Sequence, residues 1–277
     1  MRIANCESRL RPAVCPTACP PRHLRREEVA RVSGHSKWST IKHKKGAKDA
    51  QRGKIFAKLA RAIEVAAREG GGDSAANAAL SQAIDKAKGH SMPNDNIDRA
   101  VKRGTGEVEG AVYDEVWYEG YAPGGVALYV QVLTDNRNRA ASDTRSTFTR
   151  HGGNLGEPGS VAYLFENKGY FLVTGDEEEV MAAVIDAGAD DIRVSGDQVE
   201  VITEVGDFAA VRSALETGGF EVETAEITRI PTVTVPLDEA TARSVLRLVD
   251  ALEDLDDVQV VYGNFELSDE VLEAVVG

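Results

Sequence analysis

Residues Lys168–Ile230 read KGYFLVTGDEEEVMAAVIDAGADDIRVSGDQVEVITEVGDFAAVRSALETGGFEVETAEITRI, and this stretch decides the fold. Short apolar runs predict strands at Tyr170–Val173, Ile192–Val194, Gln198–Thr203 and Glu221–Ile230, and helical composition predicts helices at Glu177–Ala187 and Asp207–Thr217. The order is βαββαβ, the ferredoxin-like arrangement. Sheets of this kind that bind RNA use exposed aromatic rings and basic flanks. This segment lacks both, with four basic against fifteen acidic residues, and is not expected to bind nucleic acid.

The flanking segments form a different unit. Val116–Tyr121 and Val126–Leu133 surround the turn Ala122-Pro123-Gly124-Gly125 and predict a hairpin. After Thr134-Asp135-Asn136-Arg137-Asn138-Arg139 a helix is expected to about Arg150, then the loop His151-Gly152-Gly153-Asn154-Leu155-Gly156 and a strand at Val161–Phe165. Beyond position 230 come a strand at Thr232–Val235, a helix at Asp238–Leu252, a strand at Val258–Tyr262 and a terminal helix. Residues 231–277 are expected to complete an α+β domain begun by residues 107–167, which makes 168–230 an insertion.

Toward the N-terminus the composition changes sign. Asp49–Glu69 is rich in Ala, Lys, Arg, Gln and Leu and stops at Gly70-Gly71-Gly72, which predicts a helix. At 100° per residue, Ile55, Phe56, Leu59, Ala62, Ile63 and Ala66 form its apolar face, while Lys54, Lys58, Arg61 and Arg68 form a separate cationic stripe. Two shorter helices follow, Ala79 to about Lys88 and Asn94 to Arg103, and the three make a small bundle spanning residues 32–106. The expected class is therefore α+β multidomain: a helical bundle, an α+β domain and an inserted ferredoxin-like domain.

The net charge of −13 hides this segregation. Residues 33–106 carry 15 Lys/Arg and 7 Asp/Glu, whereas residues 107–277 carry 10 and 35. A basic front on an acidic body suggests a polyanion bound at one end. The arm Lys37-Trp38 through Lys42-His43-Lys44-Lys45 and Lys48 suits phosphate contacts, continued by Lys54, Lys58, Arg61, Lys102 and Arg103. Trp38 can stack on an unpaired base, or with Ile41 anchor the arm to the bundle, and the anchoring role is favoured. Arg137, Arg139, Arg145 and Arg150 are the only basic residues of segment 107–167. With His151 and Asn154 they define a second candidate contact, although the glycines of that loop serve equally as a helix cap.

Residues 1–31 hold all three cysteines, Cys6, Cys15 and Cys19, and four of the nine prolines. Cys15, Cys19 and His23 with Cys6 match no common zinc spacing. Glu7, Glu27 and Glu28 spoil a transit-peptide pattern. Glu27-Glu28-Val29 is compatible with a purine-rich ribosome-binding sequence and Val32 with a GTG start, so the leader is expected to be non-native or disordered. The cysteine-free body and the absence of a signal-peptide pattern suggest a cytoplasmic protein. The longest apolar run, Val126–Leu133, is too short to span a bilayer, and no membrane partner is expected.

Catalytic signatures are missing: no P-loop, no Gly-x-Ser-x-Gly, no His-Glu-x-x-His and no body cysteine. Asp190-Asp191 and Asp254, Asp256 and Asp257 read as solvated acidic turns. No enzyme activity, cofactor, metal or small-molecule substrate is expected.

Ser33-Gly34-His35-Ser36-Lys37-Trp38, Met92-Pro93-Asn94-Asp95-Asn96-Ile97, Lys102-Arg103-Gly104-Thr105-Gly106, Tyr118-Glu119-Gly120-Tyr121, Thr134–Arg139 and His151–Gly156 together resemble the YebC/PmpR family from Ser33 to the C-terminus. The family pattern places its initiator on Val32. The resemblance implies the same three domains and a cytoplasmic non-enzyme that regulates gene expression. Its members are described as DNA-binding transcriptional regulators and as ribosome-associated translation factors that relieve stalled or proline-rich synthesis. Ribosomal RNA is the favoured partner, with basic ribosomal proteins as further contacts and duplex DNA as the alternative.

Overall fold

The computed structural model describes residues 49–195 and 198–276. Its first part is three helices, α1 (Asp49–Gly70), α2 (Ala78–Gly89) and α3 (Asn94–Gly104). Leu59, Ile63, Leu80, Ala87, Ile97 and Ala100 are buried between them. The apolar face of α1 lies slightly round from its sequence position: Ala67 is buried and Ala62 stays partly exposed. Buried Asn77 locks α1 to α2. Its Oδ1 accepts from Leu80 N at 3.1 Å, capping α2, and its Nδ2 donates to Ala66 O and Gly71 O at 2.8 and 2.9 Å. Gly104 permits the close crossing of α3 over α1, because a Cβ there would lie 2.5 Å from Glu64 O.

The hairpin forms as expected, from β1 (Asp114–Tyr121) and β2 (Ala127–Thr134), and leads into α4 (Arg137–Arg150) and the short β3 (Asn154–Leu155). With β9 (Val258–Gly263) these strands make an antiparallel sheet ordered β3-β1-β2-β9. Alternation along β2 sends Leu128, Val130 and Val132 to one face, where they meet Phe148 of α4 and Leu248 and Leu252 of α7 (Glu239–Glu253). On the opposite face Trp117 stacks on Tyr129 at 4.4 Å, with Tyr262 and Phe165 alongside.

The second sheet holds β4 (Phe165–Thr174), β5 (Ala189–Ser195), β6 (Gln198–Glu204) and β7 (Glu221–Pro231), with α5 (Glu177–Val184) and α6 (Phe208–Gly218) between them in sequence. Its antiparallel order β5-β6-β4-β7 is the ferredoxin-like order. Phe171, Val173, Val199 and Val201 face Val180, Val211 and Leu215 of the two helices. Arg229 of β7 lies 5.4 Å over Trp117 and 5.8 Å over Tyr129, a cation–π bridge between the sheets.

A parallel pair of short strands, β8 (Val235–Pro236) and β10 (Phe265–Glu266), and the terminal helix α8 (Asp269–Val276) complete the chain. The structure is a multidomain α+β fold. Two strand expectations differ. Residues 162–164 form a 3-10 turn and β4 starts at Phe165; the strand expected at 232–235 retains only Val235 and extends to Pro236. Among the described residues no helix is long and apolar enough to cross a membrane.

Candidate nucleic-acid interface

The arm residues Lys37, Trp38, Lys42, His43, Lys44, Lys45 and Lys48, and the leader before them, lie outside the described residues. Of the remaining candidates, Lys54, Lys58 and Arg61 sit at helical spacing on one face of α1, and that face meets the body. Lys58 Nζ donates to Glu253 O, Lys54 Nζ to Asp254 O at 3.4 Å, and Arg61 to Asp256 O. The Arg61 guanidinium also lies 3.4 Å from Asp257 Oδ1 and 5.6 Å over the Tyr113 ring. The contact has a plain electrostatic cause. The last carbonyls of α7 have no intrahelical partner and carry partial negative charge, and α7 has no basic residue in its last turn. The stripe of α1 supplies those cations from elsewhere in the chain.

Asp257, only 12% exposed at its side chain, anchors the body side. Its Oδ2 accepts from Thr134 Oγ1 at 2.9 Å and from Arg139 at 2.8 Å. Arg139 also donates to Asp135 at 2.7 Å, and its hydrogen bonds to Asp257 and then Asp135 hold the guanidinium more firmly protonated than usual. Lys54, Arg61, Tyr113, Arg139 and Asp143 line a cleft of about 600 Å³ along this joint. Of the acidic turn expected to be solvated, Asp254 and Asp256 are exposed and meet the cations of α1 through their backbone carbonyls, whereas the Asp257 carboxylate is drawn in against Arg61.

Other candidates divide into paired and unpaired groups. Arg103 is bonded to the buried Glu64 at 3.0 Å, Arg137 to Asp114 at 2.8 Å, and Lys86 of α2 to Glu226 of β7 at 3.3 Å. Lys88, Arg99 and Lys102 are exposed, and none has an ion-pair partner among the described residues. Arg145 and Asn154 are likewise exposed, and His151 is half-buried.

The Thr134–Arg139 segment builds the start of α4: Asn136 Oδ1 accepts from Arg139 N at 3.1 Å, and Asn136 N donates to Thr134 Oγ1 at 3.0 Å. In the His151–Gly156 segment the amides serve the fold. His151 N and Gly153 N donate to Phe148 O, Gly152 N to Thr149 O, and Gly156 N to Glu119 O. The helix-cap alternative accounts for Gly152, whose φ is +78°.

Glu119, quoted in the sequence only within a motif, proves to be a buried structural acid. Its Oε1 accepts from Gly159 N at 2.6 Å, and its Oε2 from Val161 N and Ala162 N at 2.6 and 2.8 Å. Strand alternation gives the signal that was available: Glu119 shares a sheet face with Trp117.

A basic helical bundle clasped to an acidic α+β body defines the class of protein to which these features belong. The chain belongs to the TACO1/YebC family: residues 36–107 match the model of the TACO1/YebC N-terminal domain and residues 113–265 that of the second and third domains. It is 60% identical over 250 residues to a protein of Rubrobacter xylanophilus, covering 89% of this chain and 100% of that one. It is 57% identical over 245 residues to one of Salinispora arenicola, covering 87% and 98%. Both relatives carry the name "probable transcriptional regulatory protein". The crystal structure of a conserved hypothetical protein from Aquifex aeolicus superimposes with a TM-score of 0.72 at 49% identity, covering 81% of this chain and 94% of that one.

Proposed function

We propose that this chain is a non-enzymatic, nucleic-acid-binding regulator of gene expression that acts on the RNA of the ribosome, relieving stalled synthesis. The observation that carries the reading is charge segregation: 15 basic against 7 acidic residues in 33–106, and 10 against 35 thereafter. The relatives' naming as regulatory proteins agrees with its coarser part. The arm from Lys37 to Lys48, with Lys88, Arg99 and Lys102, supplies phosphate contacts, and Arg145, His151 and Asn154 a second contact.

The preference for RNA over duplex DNA has a specific support. Helices α2 and α3 are joined by a short connection, as in a helix-turn-helix pair, yet the exposed first half of α3 presents Asp95 and Asp98. A recognition helix meets base edges with that half, between two rows of phosphates that repel carboxylates. The name the relatives carry favours transcriptional control, which is the competing reading.

Gradient sedimentation of tagged protein from lysate, at low and moderate salt and with DNase, tests the reading. Co-migration with ribosomal particles that survives DNase is expected. Absence from those fractions at both salts, with retention on one promoter DNA over bulk competitor, would replace it with the transcriptional reading. Lys44→Glu/Lys45→Glu/Lys102→Glu is expected to weaken RNA binding and flatten its salt dependence by about 2 in log–log slope, from three phosphate contacts at roughly 0.7 each.

A further inference from the structure

We propose that the acidic end of α7 is an internal competitor for the cationic face of α1, a clasp that occupies Lys54, Lys58 and Arg61 until RNA displaces it. The proposal rests on the reading of the helical bundle as RNA-binding and adds its regulation.

The chemistry of the clasp imitates a nucleic-acid backbone. Lys58, Lys54 and Arg61 bind the backbone carbonyls of Glu253, Asp254 and Asp256, and Asp257 adds a carboxylate oxygen at 3.4 Å from Arg61. This is a row of partially negative oxygens at the negative end of a helix dipole, the same kind of partner a phosphate row offers. A carbonyl carries less charge than a phosphate oxygen, so a strand offering several phosphates is the better partner for all three cations together.

The joint is also built to open. The buried apolar core of the helices and that of the central sheet are separate clusters, with no apolar cluster spanning the joint among the described residues. Among the described residues the other ties between the bundle and the rest of the chain include the Arg61–Tyr113 cation–π contact, Arg68 to Ala111 O at 3.1 Å and the exposed Lys86–Glu226 pair. Opening therefore uncovers little apolar surface. The two sides differ in stiffness: Asp257 is held by Thr134 and Arg139, whereas α1 contributes three long, flexible side chains. The Asp257 anchor is thus left in place when those side chains leave.

Fluorescence anisotropy of a labelled single-stranded RNA, titrated with full-length chain, tests the clasp through a cycle of variants. Asp254→Asn/Asp257→Asn leaves the backbone carbonyls in place but removes the Asp257 carboxylate that faces Arg61 and the negative charge of the neighbouring Asp254, and is expected to tighten RNA binding by about fivefold or more, the lower end of usual coupling between sites. In Lys54→Gln/Lys58→Gln/Arg61→Gln the same Asp-to-Asn pair is expected to bring no gain, because nothing remains to unmask. A gain of equal size in both backgrounds overturns the clasp, since removal of negative charge alone then accounts for it. Equal affinity of wild type and Asp254→Asn/Asp257→Asn also overturns it while leaving the RNA reading in place. Failure of every version to bind RNA, with no ribosomal co-sedimentation, removes the RNA reading itself.

Hydrogen exchange on the unaltered chain gives a second test that needs no variant. Saturating RNA is expected to speed exchange at the Asp254 and Leu255 amides, which close the end of α7 on Asp250 O and Leu252 O. The Asp257 side stays anchored while the end of α7 loses the cations that cover its carbonyls, so the last turn frays more readily; slowed or unchanged exchange there refutes displacement.

Discussion

Removal of the Glu119 carboxylate is expected to destabilise the central sheet in a graded way. The residue is 7% exposed and its two oxygens serve three amides: Oε1 takes Gly159, and Oε2 takes Val161 and Ala162. In Glu119→Gln the side-chain carbonyl can keep the Val161 and Ala162 bonds, but the new NH2 group then faces the Gly159 N–H, donor against donor. One charge-assisted bond is lost, at about 2 kcal/mol. In Glu119→Ala all three acceptors go. Gly159 is exposed and turns to water, while the amides of buried Val161 and half-buried Ala162 are orphaned, for a total of about 4 kcal/mol.

Urea unfolding followed by tryptophan fluorescence measures both. The chain has two tryptophans, so Trp38→Phe serves as the background and Trp117, two residues from Glu119 on the same strand, becomes the reporter. With a slope of about 2 kcal/mol/M, the midpoint should fall by about 1 M for Gln and about 2 M for Ala. Trp117 reports on its own sheet and, through Arg229, on the sheet that holds β7, so a single transition that coincides with far-ultraviolet circular dichroism is required before the midpoints are compared. An Ala variant within about 0.5 kcal/mol of the background, or a Gln variant less stable than Ala, refutes the assignment of the three amide bonds as the support of the 156–164 segment.

Three further outcomes are expected. Arg103→Ala leaves the buried Glu64 carboxylate without its guanidinium; because Arg103 is itself 38% exposed, the loss should be about 2 kcal/mol, below that of a fully buried pair, and Glu64→Gln added to it should recover part, read by thermal melting. Gly104→Ala should lower the melting temperature despite the better helix propensity of Ala, since its Cβ would lie 2.5 Å from Glu64 O and 2.6 Å from Ala67 Cβ; an unchanged or higher temperature refutes the close crossing. Burial pushes the Tyr262 hydroxyl up to about 12, with Glu226 adding to the rise, and burial also raises Tyr170. A folded value above the unfolded 10.0 keeps the proton on the native state, so stability is intact below pH 10 and falls as pH rises from there to about 12. An ultraviolet titration should show tyrosines that ionise only together with unfolding, and ionisation of all seven at pH 10 with the fold intact would refute it.

What the sequence disclosed and what it hid follow from the range of the interactions involved. The βαββαβ order was legible because strand and helix periodicity, Gly175, Gly188 and Gly218-Gly219 act locally; β6 and β7 begin at the expected residues. The partner of the α1 stripe was not, because a helical wheel shows which side chains share a face and says nothing about acceptors some 195 to 200 positions away. Val161-Ala162-Tyr163-Leu164-Phe165 has strand composition throughout, yet Glu119 draws the amides of Val161 and Ala162 onto its carboxylate, and the backbone turns there before β4 begins. One buried acid on another strand overrides local propensity.

The cations of the body show how a chain of net charge −13 can present a basic face without binding polyanions indiscriminately. Lys168 is bound by Asp190 and Glu204, which hold it more firmly protonated than usual, Arg193 is bonded to Asp191, Arg212 to Glu216, and Arg229 lies over aromatic rings. The ferredoxin-like unit thus pairs three of its four basic groups with its own carboxylates, and its surplus carboxylates repel phosphates that come within about a Debye length, roughly 8 Å in physiological salt. Lys88, Arg99 and Lys102 on the helical bundle have no such partners among the described residues. Under the proposed function, this charge distribution would steer a polyanion to one end of the molecule and away from the other, fixing its orientation before any specific contact forms. The joint between α1 and the end of α7 lies where the two signs of charge meet, so on the proposed reading a phosphate strand at the basic end would meet the very cations that tie α1 to the body.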